Sequence, residues 1–141
     1  MSGDAKLGHW ILKTEPTTYS FADLQKAKRA VWDGVKNAVA LKNLRQMQPG
    51  DRALIYHTGD EKAVVGVAEI LSAAYPDPKA KDPKLVVVDL KAVKPLPRPV
   101  TLAAIKADKT FADLALVRIG RLSVSGASAA QWNRLVSMGG G

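Results

Sequence analysis

The sequence contains no cysteine and only two histidines, His9 and His57. Disulfides and thiolate metal sites are therefore excluded, and two imidazoles are too few for an ordinary zinc site. No apolar run approaches the ~18 residues that a membrane helix requires. The first ten residues lack the apolar segment of a secretory signal. We therefore expect a soluble cytoplasmic protein that uses no metal or other cofactor.

Sequence motifs for catalysis are also missing. The chain has no G-x-G-x-x-G, no Walker-type loop, no G-x-S-x-G and no paired-histidine helix. Lys13 and Glu15 lie two residues apart and could act as an acid–base pair, although a strand-end ion pair is the commoner explanation. Asp33 is more typical of a turn than of a general base. We therefore expect no enzymatic activity.

Positive charge is what the sequence has in excess. Its 21 lysines and arginines against 13 acidic residues give a net charge of +8. Such an excess favours a polyanionic partner through counterion release, although a basic surface without a partner is also common. Arg118, Arg121 and Ser123 form a basic cluster that could contact phosphate. A solvated loop with an ion pair explains that cluster equally well.

Strand-like runs and short helices alternate along the chain. We predict strands at 9–13, 53–57, 63–72 and 85–93, and a strand end with a turn at 31–34. The predicted helix caps are Ser20, Asn37, Thr101 and Ser128. The crossover helices of a regular parallel α/β array are missing. The pattern predicts a single domain over residues 1–141, a small mixed α+β barrel with short helices at its rim.

The few large aromatic residues fall at the ends of predicted elements, beside polar residues: Trp10, Tyr19, Trp32 and Tyr56. A nucleobase needs an aromatic face to stack on and polar groups facing its edge. The alternative is core packing, which we favour for Trp132 and, less strongly, for Trp10. Trp32 is the best stacking candidate, because Asp33-Gly34 turns the chain directly after it and places the indole at a rim.

Several segments, in this order, resemble the EVE domain family. They are WILKTEP at 10–16, YSF at 19–21, WDGVKN at 32–37, LRQM at 44–47, GD at 50–51, YHT at 56–58, YPDP at 75–78 and RLSV at 121–124. The resemblance extends over about residues 9–136. It implies a PUA-like barrel with its core over those residues, related to the YTH domains that hold a methylated adenine in an aromatic cage.

The resemblance also implies a function, which is non-catalytic binding of a modified base in DNA or RNA. The base would lie in an aromatic-lined pocket, stacked on Trp32 and read at its edge by Asn37 and nearby backbone. The ligand-binding residues implied by this likeness are Trp10, Lys13, Ser20, Trp32, Asn37, Tyr56, His57 and Thr58, with Arg121 and Ser123 near the rim. Thr58 stands where the family usually has serine and Ala38 where tyrosine is frequent, so no particular base is implied.

Two other functions remain open. One is an enzyme that acts on a modified base, with Lys13, Glu15 or Asp33 as its chemical groups. The other is a general RNA-binding accessory domain that has no base pocket. We prefer the binding function, because aromatic and amide groups are present without a catalytic set. We expect a monomer whose partner is nucleic acid and not a membrane.

Overall fold

A computed structural model describes residues 8–141 of the chain. The strands within them are β1 His9–Thr14, β2 Ala30–Trp32, β3 Arg52–His57, β4 Ala63–Ile70, β5 Tyr75–Pro76, β6 Val86–Thr101 and β7 Val124–Ala127. The helices are α1 Phe21–Ala27, α2 Ala38–Gln46, α3 Leu102–Lys106, α4 Ala115–Arg118 and α5 Ala129–Met138, with a 3-10 turn at Lys109–Phe111. No helix of this part of the chain is long and apolar enough to cross a membrane.

The strands form one curled sheet in the order β2-β6-β4-β3-β1-β7, and β5 pairs with β6. Only the β1–β3 pairing is parallel. Register shifts interrupt the β3–β4 and β4–β6 pairings, and such irregularities bend strands and increase their twist. The result is a half-barrel whose two edge strands are β2 and β7. It confirms the predicted α+β barrel-like fold with short helices.

The prediction that the last long strand ends at residue 93 is wrong. Strand β6 continues to Thr101 through three prolines, Pro95, Pro97 and Pro99. Prolines demote a strand prediction because each lacks a backbone N–H. Here they recur at every second residue, so the three missing N–H groups all lie on one edge of the strand. The residues between the prolines keep their N–H groups on the other edge, where ladder hydrogen bonds can form. Strand β6 pairs with β4 at Lys94 and Pro95 and again at Val100 and Thr101, on either side of a register shift.

Successive side chains of a strand point to opposite faces of the sheet, and this divides the core into two clusters. Trp10 and Leu12 of β1 pack in the first cluster, whereas Ile11 packs in the second. Helix α1 lies against the first cluster through Phe21. A Cβ on Gly66 of β4 would come within 2.6 Å of three atoms of the Phe21 ring, so only glycine allows this close approach. The two faces of β1 therefore belong to different layers of the molecule.

Side-chain caps begin the helices where the sequence predicts them. Ser20 accepts a hydrogen bond from the backbone N–H of Asp23, and Asn37 accepts from those of Val39 and Ala40. Thr101 and Ser128 cap α3 and α5 in the same way. The four cap predictions are confirmed. Because a cap uses the side-chain oxygen, Ser20 and Asn37 already have partners at that atom.

Candidate nucleic-acid interface

A pocket of about 680 Å³ opens between the two edges of the curled sheet. One wall is edge strand β2 and the turn that follows, residues 30–35. The facing wall consists of Lys13 and Thr14 at the end of β1 and Ser123 just before β7. Thr18, Tyr19 and Lys79 come from loops and complete the lining. This site, called the main pocket below, has the size typical of small-molecule pockets, about 300–1,000 Å³.

Tyr19 and Trp32 give the main pocket its aromatic surface. Their ring centroids lie 6.3 Å apart and the ring planes meet at 81°, an edge-to-face pair. Gly34 has a φ of 79° and turns the chain after Trp32 as predicted. The predicted rim position of Trp32 is nevertheless wrong, because the indole is only 7% exposed and packs in the first core cluster. Trp32 is thus a core residue that also lines the pocket.

Backbone hydrogen bonds hold the loop that carries Tyr19. The N–H groups of Thr18 and Tyr19 both donate to the carbonyl of Glu15, each at 2.9 Å. The Thr14 hydroxyl donates to the Tyr19 carbonyl at 2.6 Å. Burial raises the pKa of the Tyr19 phenol, and the nearby Asp23 carboxylate raises it further. The hydroxyl therefore stays protonated. The implied site residues omitted Tyr19, although its place at an element end was a usable signal.

Lys13 stands at the centre of the site. The β1–β3 register pairs it with Tyr56, and its ammonium lies 5.6 Å from the centroid of that ring. Its Nζ donates to the carbonyl of Gly120 at 2.6 Å. Burial lowers the pKa of this lysine. The suggested ion pair with Glu15 does not form, because the Glu15 carboxylate accepts instead from Thr17 and Thr58.

A second pocket of about 230 Å³ shares Lys13 with the main pocket. We call it the lysine pocket, since Lys62 and Lys106 line it as well. Its remaining lining residues are Tyr56, Thr58, Gly59, Leu102, Leu116, Val117 and Gly120.

The site residues implied by the resemblance are thus divided between the two pockets. Trp32 and Ser123 line the main pocket, Tyr56 and Thr58 line the lysine pocket, and Lys13 lines both.

The other implied site residues line neither pocket: Trp10, Ser20, Asn37, His57 and Arg121. Ser20 and Asn37 are the helix caps already described. His57 is 8% exposed; its Nε2 accepts from the N–H of Phe21 and its Nδ1 lies 2.7 Å from Glu61 Oε1. That geometry fits the Nδ1–H tautomer. Arg121 is exposed. Contact between these residues and a base remains a prediction.

Trp10 has a polar partner that the sequence did not indicate. Its indole N–H donates to Oδ2 of Asp51 at 2.9 Å. Asp51 is only 3% exposed, and its carboxylate also accepts from the backbone N–H groups of Gly8 and Gln48. A buried carboxylate requires such donors. The GD pair at 50–51 was a family motif only. In the structure, the hydrogen bonds of the Asp51 carboxylate connect β1 to the start of β3.

Three further polar residues line the main pocket without having been implied as ligands: Thr14, Thr18 and Lys79. Asp33, interpreted from the sequence as a turn residue, also lines it. These residues come from separate loops and strand ends, so no local motif groups them. Among residues 8–141 there is no group of three His, Asp or Glu side chains placed to hold a metal ion.

Comparison with known proteins identifies the relatives of this chain. The family model described as EVE domain matches residues 8–138. A solved protein from Rhodopseudomonas palustris has 43% sequence identity and a TM-score of 0.89, over 95% of this chain and 94% of that one. Human thymocyte nuclear protein 1 is 32% identical over 124 residues, 70% of this chain and 55% of the human protein. The chain thus spans about half the length of the curated relatives it matches.

One solved neighbour contains nucleic acid. It is the human protein in complex with DNA that contains 5-methylcytosine. It has 28% identity and a TM-score of 0.85 over 94% of this chain and 97% of that one. The similarity in fold therefore extends over nearly the whole of both chains.

Proposed function

This chain belongs to the EVE domain family, and from that premise we propose that it binds one modified base of a nucleic acid without catalysing a reaction. The observation that carries the proposal is the main pocket, where Tyr19 and Trp32 meet at 81° beside Lys13 and Ser123. The binding of 5-methylcytosine-containing DNA by the human relative supports it.

The chemistry of the main pocket suits a flat, polar-edged ligand. One aromatic ring can stack on the base, worth ~1–3 kcal/mol, while the second ring bounds the base at its side. The hydroxyls of Thr18 and Ser123 offer donors and acceptors to the base edge, and that of Thr14, which donates to the Tyr19 carbonyl, offers an acceptor. Ala30 and Val35 add apolar wall, against which an extra methyl group gains roughly 1–3 kcal/mol. Together these terms favour a modified base over its unmodified parent.

The contacts of the candidate catalytic groups favour binding over catalysis. Lys13 donates to the Gly120 carbonyl at 2.6 Å, a contact that suits an ammonium group held in place. The carboxylate of Glu15 is bonded to Thr17 and Thr58 and does not line the main pocket. The enzyme alternative therefore rests on Lys13 and Asp33, the two candidate groups that line the main pocket.

A panel of short oligonucleotides tests the proposal. Each DNA or RNA strand carries one base, either unmodified or methylated at a defined atom, and 5-methylcytosine is one member of the panel. We expect at least one modified strand to bind on the order of tenfold more tightly than its parent at equal salt. Equal affinity across the panel would refute the base-binding function. Analysis of the recovered strands by mass spectrometry checks for turnover, and altered bases would establish the enzyme alternative.

A further inference from the structure

The lysine pocket has the composition of an anion site. Lys13 comes from β1, Lys62 from the β3–β4 loop and Lys106 from α3, so three separate elements each contribute a lysine to the lining of one cavity of about 230 Å³. No acidic residue lines it. Within residues 8–141, no ion pair joins any of the three lysines to a carboxylate. Among the described residues, no carboxylate therefore neutralises their charges through an ion pair.

Neutral donors and an apolar floor complete the lysine pocket. Tyr56 is 4% exposed, and burial raises the pKa of its phenol, so the hydroxyl keeps its proton. The Thr58 hydroxyl makes only long contacts of 3.4 and 3.3 Å, to the Thr14 carbonyl and to Glu15 Oε2, so it can turn towards a better acceptor. Leu102, Leu116 and Val117 line the rest. Such apolar walls lower the local dielectric and strengthen charge–charge attraction.

The position of the lysine pocket indicates which anion it receives. Lys13 lines both pockets, so an anion in the lysine pocket lies next to whatever occupies the main pocket. In a nucleic acid every base is joined to a backbone phosphate. We propose that the lysine pocket binds a phosphodiester of the strand whose base occupies the main pocket. This inference rests on the proposed function and adds the second contact point of the same ligand.

The first test uses Lys62→Ala and Lys106→Ala. Both side chains are exposed, so their loss leaves the fold intact. Each variant should bind an oligonucleotide about threefold more weakly at physiological salt, and the double variant about tenfold. The slope of log K against log salt should fall by about 0.7–0.9 for each lysine. The ratio of modified to unmodified affinity should not change. Lys42→Ala, an exposed lysine of α2 outside both pockets, is the matched control.

The second test locates the phosphate. A neutral methylphosphonate replaces one linkage at a time on either side of the modified base. We expect one linkage to weaken binding by native protein but not by the Lys62→Ala/Lys106→Ala double variant. If the double variant loses no more affinity than Lys42→Ala, or responds to the substituted linkages as native protein does, the lysine pocket is not a phosphate site. Base preference in native protein is scored separately, and its absence refutes the base-binding function instead.

Discussion

Trp10 and Trp32 are equally buried, yet they lie in different kinds of surroundings. They are 8% and 7% exposed, and both belong to the first core cluster. The indole N–H of Trp10 is bonded to the enclosed Asp51 carboxylate, and Trp10 lines neither the main pocket nor the lysine pocket. Trp32 instead meets the Tyr19 ring at a right angle and lines a cavity of about 680 Å³.

Burial alone therefore does not separate an aromatic residue that only packs in the core from one that also lines a pocket. Fractional exposure measures how much of a residue's surface water can reach, and the residues that line a concave pocket are reached only slightly. What differs is the neighbour: a hydrogen-bonded buried carboxylate beside Trp10, and the main pocket beside Trp32. We therefore infer that Trp10 stabilises the fold while Trp32 serves both the core and the ligand.

Trp10→Leu should give the largest effect, and the effect should be on stability. The change opens a cavity in the core and leaves Asp51 one donor short, for a total of about 2–4 kcal/mol of unfolding free energy. Urea denaturation measures it. The folded variant should keep its preference for a modified base, since Trp10 lines neither pocket. Loss of that preference would mean that the two tryptophans do not differ as described.

Trp32→Leu should show the complementary result. Affinity for the modified strand should fall by about 1–3 kcal/mol, the value of one stacked base, and base preference should fall with it as the base loses its fixed position. Stability should fall by less than for Trp10→Leu, about 1–2 kcal/mol, because no buried polar group loses its partner. Affinity titrations with modified and unmodified strands, beside urea curves, give both numbers. A variant that keeps its base preference would contradict the stacking role of Trp32.

The sequence predicts the elements of this molecule better than it predicts the site. Ser20, Asn37 and Ser128 were correctly identified as caps, because a cap depends on residues within one turn. The main pocket depends on the curl of the sheet, which brings β2 towards β1 across many intervening residues. The family likeness supplied Lys13, Trp32 and Ser123 there but not Tyr19 or Lys79. It also placed Trp10 in the site; that indole is bonded to Asp51 and lines neither pocket, and its contact with a base remains a prediction.

The charge of Lys13 should have a smaller effect, which is seen in how the affinity for nucleic acid depends on pH. Burial lowers the pKa of its ammonium below that of a free lysine, about 10.4. As the pH rises through that lowered value, the positive charge is lost and affinity for nucleic acid should fall by about threefold. Lys13→Arg keeps its charge throughout and should lose no affinity in the same range. Identical alkaline pH profiles for the two proteins would contradict a role for the Lys13 charge in binding.

Arg118→Ala and Arg121→Ala should have the smallest effects. Both side chains are exposed and line neither pocket. Each substitution should reduce the salt slope by at most about 1 and leave the base preference intact. Fluorescence anisotropy between 50 and 200 mM salt, roughly the range over which phosphate contacts weaken, measures both quantities. A collapse of base preference would place these arginines in the pocket with Trp32.

Observing the tryptophan indoles during binding tests most directly whether the base binds in the main pocket. Each of the three tryptophans gives one indole N–H signal in a nitrogen-15 correlation spectrum, and single Trp→Phe variants assign them. Titration with the modified strand that binds best should shift the Trp32 signal strongly and leave those of Trp10 and Trp132 nearly unchanged. The unmodified strand should shift Trp32 less at equal saturation. A Trp32 signal that stays in place while the strand binds would contradict the main pocket as the base site.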